Sequence, residues 1–325
     1  MTSQKRTSGA LRISLLRIAR LSGAIELGSP EGLFSGTRSL LVPGLQVGRD
    51  RAQPELSFAL SVVHYSWSFS RHRSWPSSRM TEVFPNPPIT EALIDIRVQL
   101  PGNVSLADLE NLHTQIKHGY PDKKTRNRWE GTLELKGEKE PLKTIRSQID
   151  GYLFSTPDGK QVAQYRLDGF TFSRLRPYSQ WEDVYREAAR LWDIYRTETR
   201  PLLVTRLAVR YINSIEIPSK SFDYDDYFTA APKIPQGLPQ LLQHFFTRWL
   251  IPFPEQGAVA IVTQTPSDKQ DPVNSAILLD IDVFAEVKNL SAEDARIDEI
   301  FGNLRKIKND VFFNSITEKT KELFR

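Results

Sequence analysis

Residues 274–313 read NSAILLDIDVFAEVKNLSAEDARIDEIFGNLRKIKNDVFF, and this stretch decides the fold class. Its first half alternates. Ile277, Leu279, Ile281, Val283 and Ala285 fall on one face, and Asp280 and Asp282 fall on the other beside Leu278 and Phe284. Successive side chains leave a strand on opposite sides, so this period of two predicts a strand with unlike faces. The second half repeats at helical spacing: Ile297, Ile300, Phe301, Leu304, Ile307, Val311 and Phe312 form one apolar stripe. Ser291 with Asp294 three residues on has the form of a capping box and predicts the helix start there, with the helix running through Thr317 or beyond. A stripe this wide needs a sheet or a second helix to cover it.

Working outward, residues 80–200 offer the same materials. Ala92, Ile94, Ile96, Val98 and Leu100 alternate with Glu91, Leu93, Asp95 and Arg97 in a strand over 89–100, entered through the stiff Asn86-Pro87-Pro88 run. Ser105 and Asp108 predict a capped helix to about 119. Strands are expected over 129–135, 149–154 and 161–174, the last two joined by the Thr156–Gly159 turn. Ser179 and Glu182 suggest another capping box, opening a helix to Thr199 with Trp181, Val184, Ala188, Leu191, Trp192 and Tyr195 along one side. Residues 201–325 then repeat the order: a strand over 202–217, a helical stretch over 238–249, a strand over 257–265, and the strand and helix quoted above. The expectation is an α+β protein of two related units, 80–200 and 201–325. Each is an antiparallel sheet packed by helices, and the two form one body.

Charge divides the chain differently. Residues 1–79 hold eleven Lys/Arg against four Asp/Glu, whereas the remainder holds thirty-two against thirty-five. Regular patterning begins at Met80, the second of two methionines. Residues 1–79 are therefore expected to be a basic, disordered extension or to precede the true start. The slightly acidic body argues against a nucleic-acid partner. The absence of cysteine excludes disulfides, thiol nucleophiles and Cys-ligated metals. Five isolated histidines argue against a zinc hydrolase, and no apolar run is long enough to span a membrane. These features fit a cytoplasmic protein.

The chemistry-bearing candidates lie on strand faces. Asp280 and Asp282 share one face of their strand, about 6.5–7 Å apart, close enough to share a divalent cation if other oxygens joined them. Arg206 and Arg210, on one face of their own strand, are the competing partners. With Glu91, Asp95 and Arg97 these residues make a candidate polar site, and Arg166 lies on a comparable face. Asn213 interrupts an otherwise apolar strand face, and Asn86 and Asn309 are polar residues of the same structural kind. No dinucleotide fingerprint, phosphate-binding loop, nucleophile elbow or kinase signature occurs, so no cofactor is expected.

Four segments, FPNPPITEALIDIRVQL (84–100), VRYINSIEIP (209–218), LLDIDVF (278–284) and LRKIKNDVFFNSIT (304–317), resemble the TIGR04255 family of sporadically distributed bacterial proteins. The resemblance runs from about Met80 to the C-terminus. Its matching positions are Asn86, Pro87, Pro88, Glu91, Arg210, Asn213, Asp280, Asp282 and Asn309. The family has no established biochemical activity, so the resemblance transfers no catalytic role. Three readings follow: a binding protein offering a polar groove between sheet and helices to a protein or small molecule; a divalent-metal phosphoesterase or nuclease using Asp280 and Asp282; and a homodimer formed through the long helices.

Overall fold

The computed structural model describes residues 82–134, 142–240, 242, 244–267, 271 and 273–325, with the backbone alone given for 129–134 and 142–146. The expectation for residues 1–79 and the end of the strand expected at 129–135 lie outside these residues.

Nine strands form one antiparallel sheet, in the order β2-β3-β4-β5-β1-β6-β9-β8-β7. They are β1 Ile89–Gln99, β2 Asp122–Glu134, β3 Leu142–Ser155, β4 Gln161–Arg166, β5 Gly169–Leu175, β6 Leu203–Ile217, β7 Thr247–Phe253, β8 Ala258–Pro266 and β9 Ser275–Leu290. Helices α1 (Leu106–Asn111) and α2 (His113–Ile116) follow β1, α3 (Trp181–Thr199) follows β5, α4 (Tyr224–Tyr227) follows β6, and α5 (Arg296–Ser315) and α6 (Glu318–Glu322) end the chain. The architecture is α+β.

Alternation decides which face is covered. Ala92, Ile94 and Ile96 of β1, Val209 and Tyr211 of β6, and Leu279, Ile281 and Val283 of β9 are all buried in one continuous core. α1 packs on β3 and β4, α3 on β5 and β1, and α5 on β6, β9 and β8. The expected stripes meet that face: Trp181, Val184, Ala188, Leu191, Trp192 and Tyr195 of α3, and Ile297, Phe301, Leu304, Ile307, Val311 and Phe312 of α5, are buried. Among the described residues, no helix is long and apolar enough to cross a membrane.

Several expectations are corrected. The strand over 161–174 is a hairpin. The chain reverses at Leu167-Asp168, and Gly169 then sits opposite Arg166. The reversal changes parity, so Phe170 and Phe172 join Ala163 and Tyr165 in the core while Arg166 faces away. Read as one strand, the segment had no clean apolar face. The helix expected over 238–249 is absent among the described residues there, and 247–249 instead open β7, because TRWLIPF finds its backbone partner in β8. The helix after Ser105 breaks at Leu112. α3 has Gln180 at its N-cap position rather than Ser179. α5 starts at Arg296, since the Asp294 carboxylate turns onto the Arg296 backbone N–H at 2.9 Å instead of closing a box with Ser291. It stops at Ser315, where Thr317 caps the separate α6.

Candidate functional site

The polar candidates converge, but not between sheet and helices as expected. They lie on the face that no helix covers among the described residues, because every one has the parity opposite to the core. Asp95 is at the centre. Its Oδ1 accepts from Arg166 Nη1 at 3.1 Å and from Thr171 Oγ1 at 2.6 Å, and its Oδ2 accepts from Arg206 Nη1 at 3.1 Å. Arg97 Nε lies 3.6 Å from the same Oδ2. Arg166 Nε donates to Asp168 at 2.7 Å. On the far side, Arg206 Nη2 donates to Asp282 Oδ2 at 3.2 Å. Arg210 grips Asp280 through two bonds, Nε to Oδ1 at 2.8 Å and Nη2 to Oδ2 at 2.5 Å. Glu91 lies close enough to favour the charged form of Arg210. A row of alternating charge, Asp168–Arg166–Asp95–Arg206–Asp282, thus crosses five strands or turns at the middle of the sheet.

Register explains the reach. Arg97 and Arg206 are directly opposite each other on β1 and β6, an arrangement of like charges that the shared Asp95 carboxylate offsets, with Asp282 also taking a bond from Arg206. Ala208 stands between Asp95 and Phe284. Its small side chain leaves Arg206 free to lie along the sheet, with its guanidinium carbon 4.4 Å from the Phe284 ring centroid.

These charges are covered rather than freely hydrated. Side-chain exposure is 3% for Arg166, 13% for Asp95, 12% for Asp280 and 16% for Asp282. The paired acids therefore face away from the core, as expected, but under arginines. Burial alone would raise the Asp95 pKa, yet Arg166, Arg206 and the Thr171 bond hold it well below the usual carboxylate range. Asp282 shifts the other way. Burial raises it beyond what Arg206 and Arg210 recover, with Asp280 and Asp95 adding repulsion. Arg166 Nη2 and Arg97 Nε are buried beside the row without a hydrogen-bond partner.

The structural asparagines separate. Asn213 Nδ2 donates to the Leu279 carbonyl at 3.0 Å, tying β6 to β9 inside the core. Asn86 meets the C-terminus, its backbone N–H donating to Phe324 O at 3.1 Å. Asn309 is half-buried on α5 and, among the described residues, no side-chain hydrogen bond joins it to a loop. His113 is structural: its Nε2 is 2.8 Å from Tyr120 O, and its ring stacks on Phe154. Thr171 and Asp168 entered the row unforeseen. The Asp168-Gly169 pair was the sequence signal for the turn that places them.

Among the described residues, no group of three His, Asp or Glu side chains could hold a metal ion. Compared with known proteins, the chain matches no family model and no curated sequence.

Proposed function

We propose that this is a non-enzymatic binding or interaction protein whose recognition surface is the helix-free face centred on β1, β6 and β9. The observation that carries this reading is the convergence of Asp95, Arg97, Arg206, Arg210, Asp280 and Asp282 on one face, where the row lies beside the Arg210–Asp280 pair. Asp95, Asp280 and Asp282 each accept from a guanidinium, which engages oxygens that a general base or a metal ligand would need. Arg97 and Arg210, at 31% and 29% side-chain exposure, are the members best placed to meet a partner.

The divalent-metal phosphoesterase or nuclease is not carried forward, because arginines already occupy both Asp280 and Asp282. The dimer through long helices loses its motive too, since the α5 stripe is spent on the chain's own sheet.

On this reading the sheet consists of two related units, 80–200 and 201–325, meeting at the β1–β6 pair. In each, the opening strand returns beside the last strand of a meander: β1 beside β5, and β6 beside β9. The row then straddles their junction. Membership of the scattered bacterial family belongs to the same proposal. Its support is that the four resembling segments supply β1, the second half of β6, the middle of β9 and most of α5, at the centre of the fold. A cytoplasmic location is likewise proposed, on the lack of cysteine.

The test is affinity purification of the full chain from its native host, beside a Glu91→Ala/Arg97→Ala variant that circular dichroism shows to be folded. A species retained by the wild type and lost by the variant supports this surface. Equal retention by both refutes it. Mg²⁺-dependent cleavage of a phosphodiester, abolished by Asp280→Asn, would overturn the non-enzymatic reading.

A further inference from the structure

The two edges of the sheet are built differently. β2 ends it on one side and β7 on the other. An edge strand shows a row of unpaired backbone N–H and C=O groups, and charge along it is a usual defence against pairing with another chain. β2 has that defence: Lys123, Lys124, Arg126 and Arg128 stand in its first half. β7, Thr247–Phe253, reads TRWLIPF and carries one charge, Arg248.

β7 is also apolar on both faces. Leu250 is 66% exposed and Ile251 39%, on opposite sides of the strand, and Phe246 just before it is 65% exposed. The long helix beside this half of the sheet, α5, packs on β6, β9 and β8. Among the described residues, β7 has a strand partner on one side alone, β8. An apolar edge left open in this way is a template for a further strand.

We propose that β7 pairs antiparallel with β7 of a second copy of this chain, about a two-fold axis at Leu250. In that register Leu250 faces Leu250, Trp249 faces Ile251 of the other copy, and Phe246 faces Pro254. Charge selects this occupant. The two Arg248 positions fall four residues apart along the ladder, about 13 Å, which exceeds the screening length of about 8–10 Å in physiological salt. No like charges meet. Pairing β2 with β2 would instead bring its cations together. Pairing β7 with β2 of the next copy would set apolar side chains against cations and would leave a free edge at each end, so it would never close. Pro252 has no N–H to give, and the Leu250 axis places it opposite Arg248, toward the end of the ladder, where a missing donor matters least. The arginine–aspartate row ends at β9, two strands from β7, so the dimer stands or falls independently of the recognition surface.

Sedimentation of the full chain over a range of concentrations tests it, and the expected result is a mass that doubles as concentration rises. Leu250→Lys sets two ammonium groups at the axis and should weaken the dimer by about a hundredfold. Ile251→Lys makes the same test from the other face of the strand if Leu250→Lys fails to fold. The chain has no cysteine, so a single introduced one reports on one place. Leu250→Cys should form an intermolecular disulfide on mild oxidation, since opposed residues of an antiparallel pair lie about 4.5–5.5 Å apart at Cα. Thr125→Cys, on the exposed β2 edge, should cross-link at least tenfold more slowly. A full chain that stays monomeric at every concentration would overturn the proposal, including one whose β7 takes up a strand of a different protein. So would a dimer that both lysine variants leave intact, or equal cross-linking of the two cysteine variants.

Discussion

The Arg166 guanidinium crosses the whole of β5 to reach Asp95, Nη1 lying 3.1 Å from Oδ1. The strand it crosses presents Gly169 at the position paired with both Arg166 and Arg97. Two long cations can share that part of the sheet because the residue between them has no side chain. The glycine is also required by the backbone. Its φ is +144°, and a Cβ there would lie 2.1 Å from Ile96 O.

Gly169→Ala should therefore be among the most damaging small substitutions in the protein. The expected loss is about 2–4 kcal/mol, since both a strained backbone and a clash with a central strand must be relieved. Gly159→Ala is the control. It also has positive φ, +66°, but its Cβ would meet nothing within 4 Å. Its cost should stay near 1 kcal/mol. Urea denaturation of both variants measures the difference, and equal costs would refute the close-approach argument.

Asp95 and Asp282 should respond to pH with opposite signs although one arginine joins them. The Asp95 carboxyl is depressed in the fold, so the unfolded chain binds more protons below about 3.8. Its contribution is full above that pH and is lost as pH falls through the depressed value. The Asp282 carboxyl is raised, so the folded state holds its proton longer, and stability declines as pH rises from 3.8 through the raised value. Asp95→Ala should cost about 3–5 kcal/mol at pH 7, leaving Arg166 buried without its main partner. Asp282→Asn should be close to neutral there, within about 1 kcal/mol. Denaturation midpoints from pH 3 to pH 7 check this, and a larger loss for Asp282→Asn than for Asp95→Ala would reverse the assignment.

What the sequence disclosed follows from the same geometry. Parity along β1, β6 and β9 was legible because one face of each strand is packed by helices and the other is not. That pattern placed Asp95, Arg97, Arg206, Arg210, Asp280 and Asp282 together on the face away from the core. It did not say which face the helices choose, so the polar site was expected between the layers. Pairings such as Asp95 with Arg206 join positions 111 residues apart, and no local pattern encodes them. β7 was missed for a related reason: it is an edge strand with mostly exposed side chains, and its pairing with β8 is a non-local fact that its own pattern does not carry. The hairpin at Leu167-Asp168 was missed because two strands of opposite parity, read as one, hide each other's alternation.

Asn213 makes a distinct claim, that a single amide fastens the junction of β6 and β9. It is 2% exposed, and its Nδ2 serves the Leu279 carbonyl. Asn213→Ala removes that donor from a site water cannot easily reach, and should cost about 1–3 kcal/mol. Hydrogen exchange should show faster opening of β6 and β9 than of β3 and β4. Uniform acceleration across the sheet would mean that the amide has no local fastening role.

Lys308 carries the last expectation. It projects from α5 toward β6, its Nζ 3.9 Å from the Tyr211 ring centroid. Tyr211 is itself hydrogen-bonded to Tyr178, and the charged group nearby is Arg305, which repels it. Burial and Arg305 push the Lys308 amine down to about 7. Between that value and the usual 10.5, the unfolded chain holds a proton that the fold does not, so stability should rise with pH across the interval. Lys308→Met keeps the length of the side chain and removes the titration. It should raise the melting temperature most at or below pH 7, with the gain shrinking to nothing near pH 10. Calorimetric melting of both proteins over this range decides the matter. Parallel curves would mean that the amine keeps its proton in the fold and that the Tyr211 ring stabilises it there as a cation.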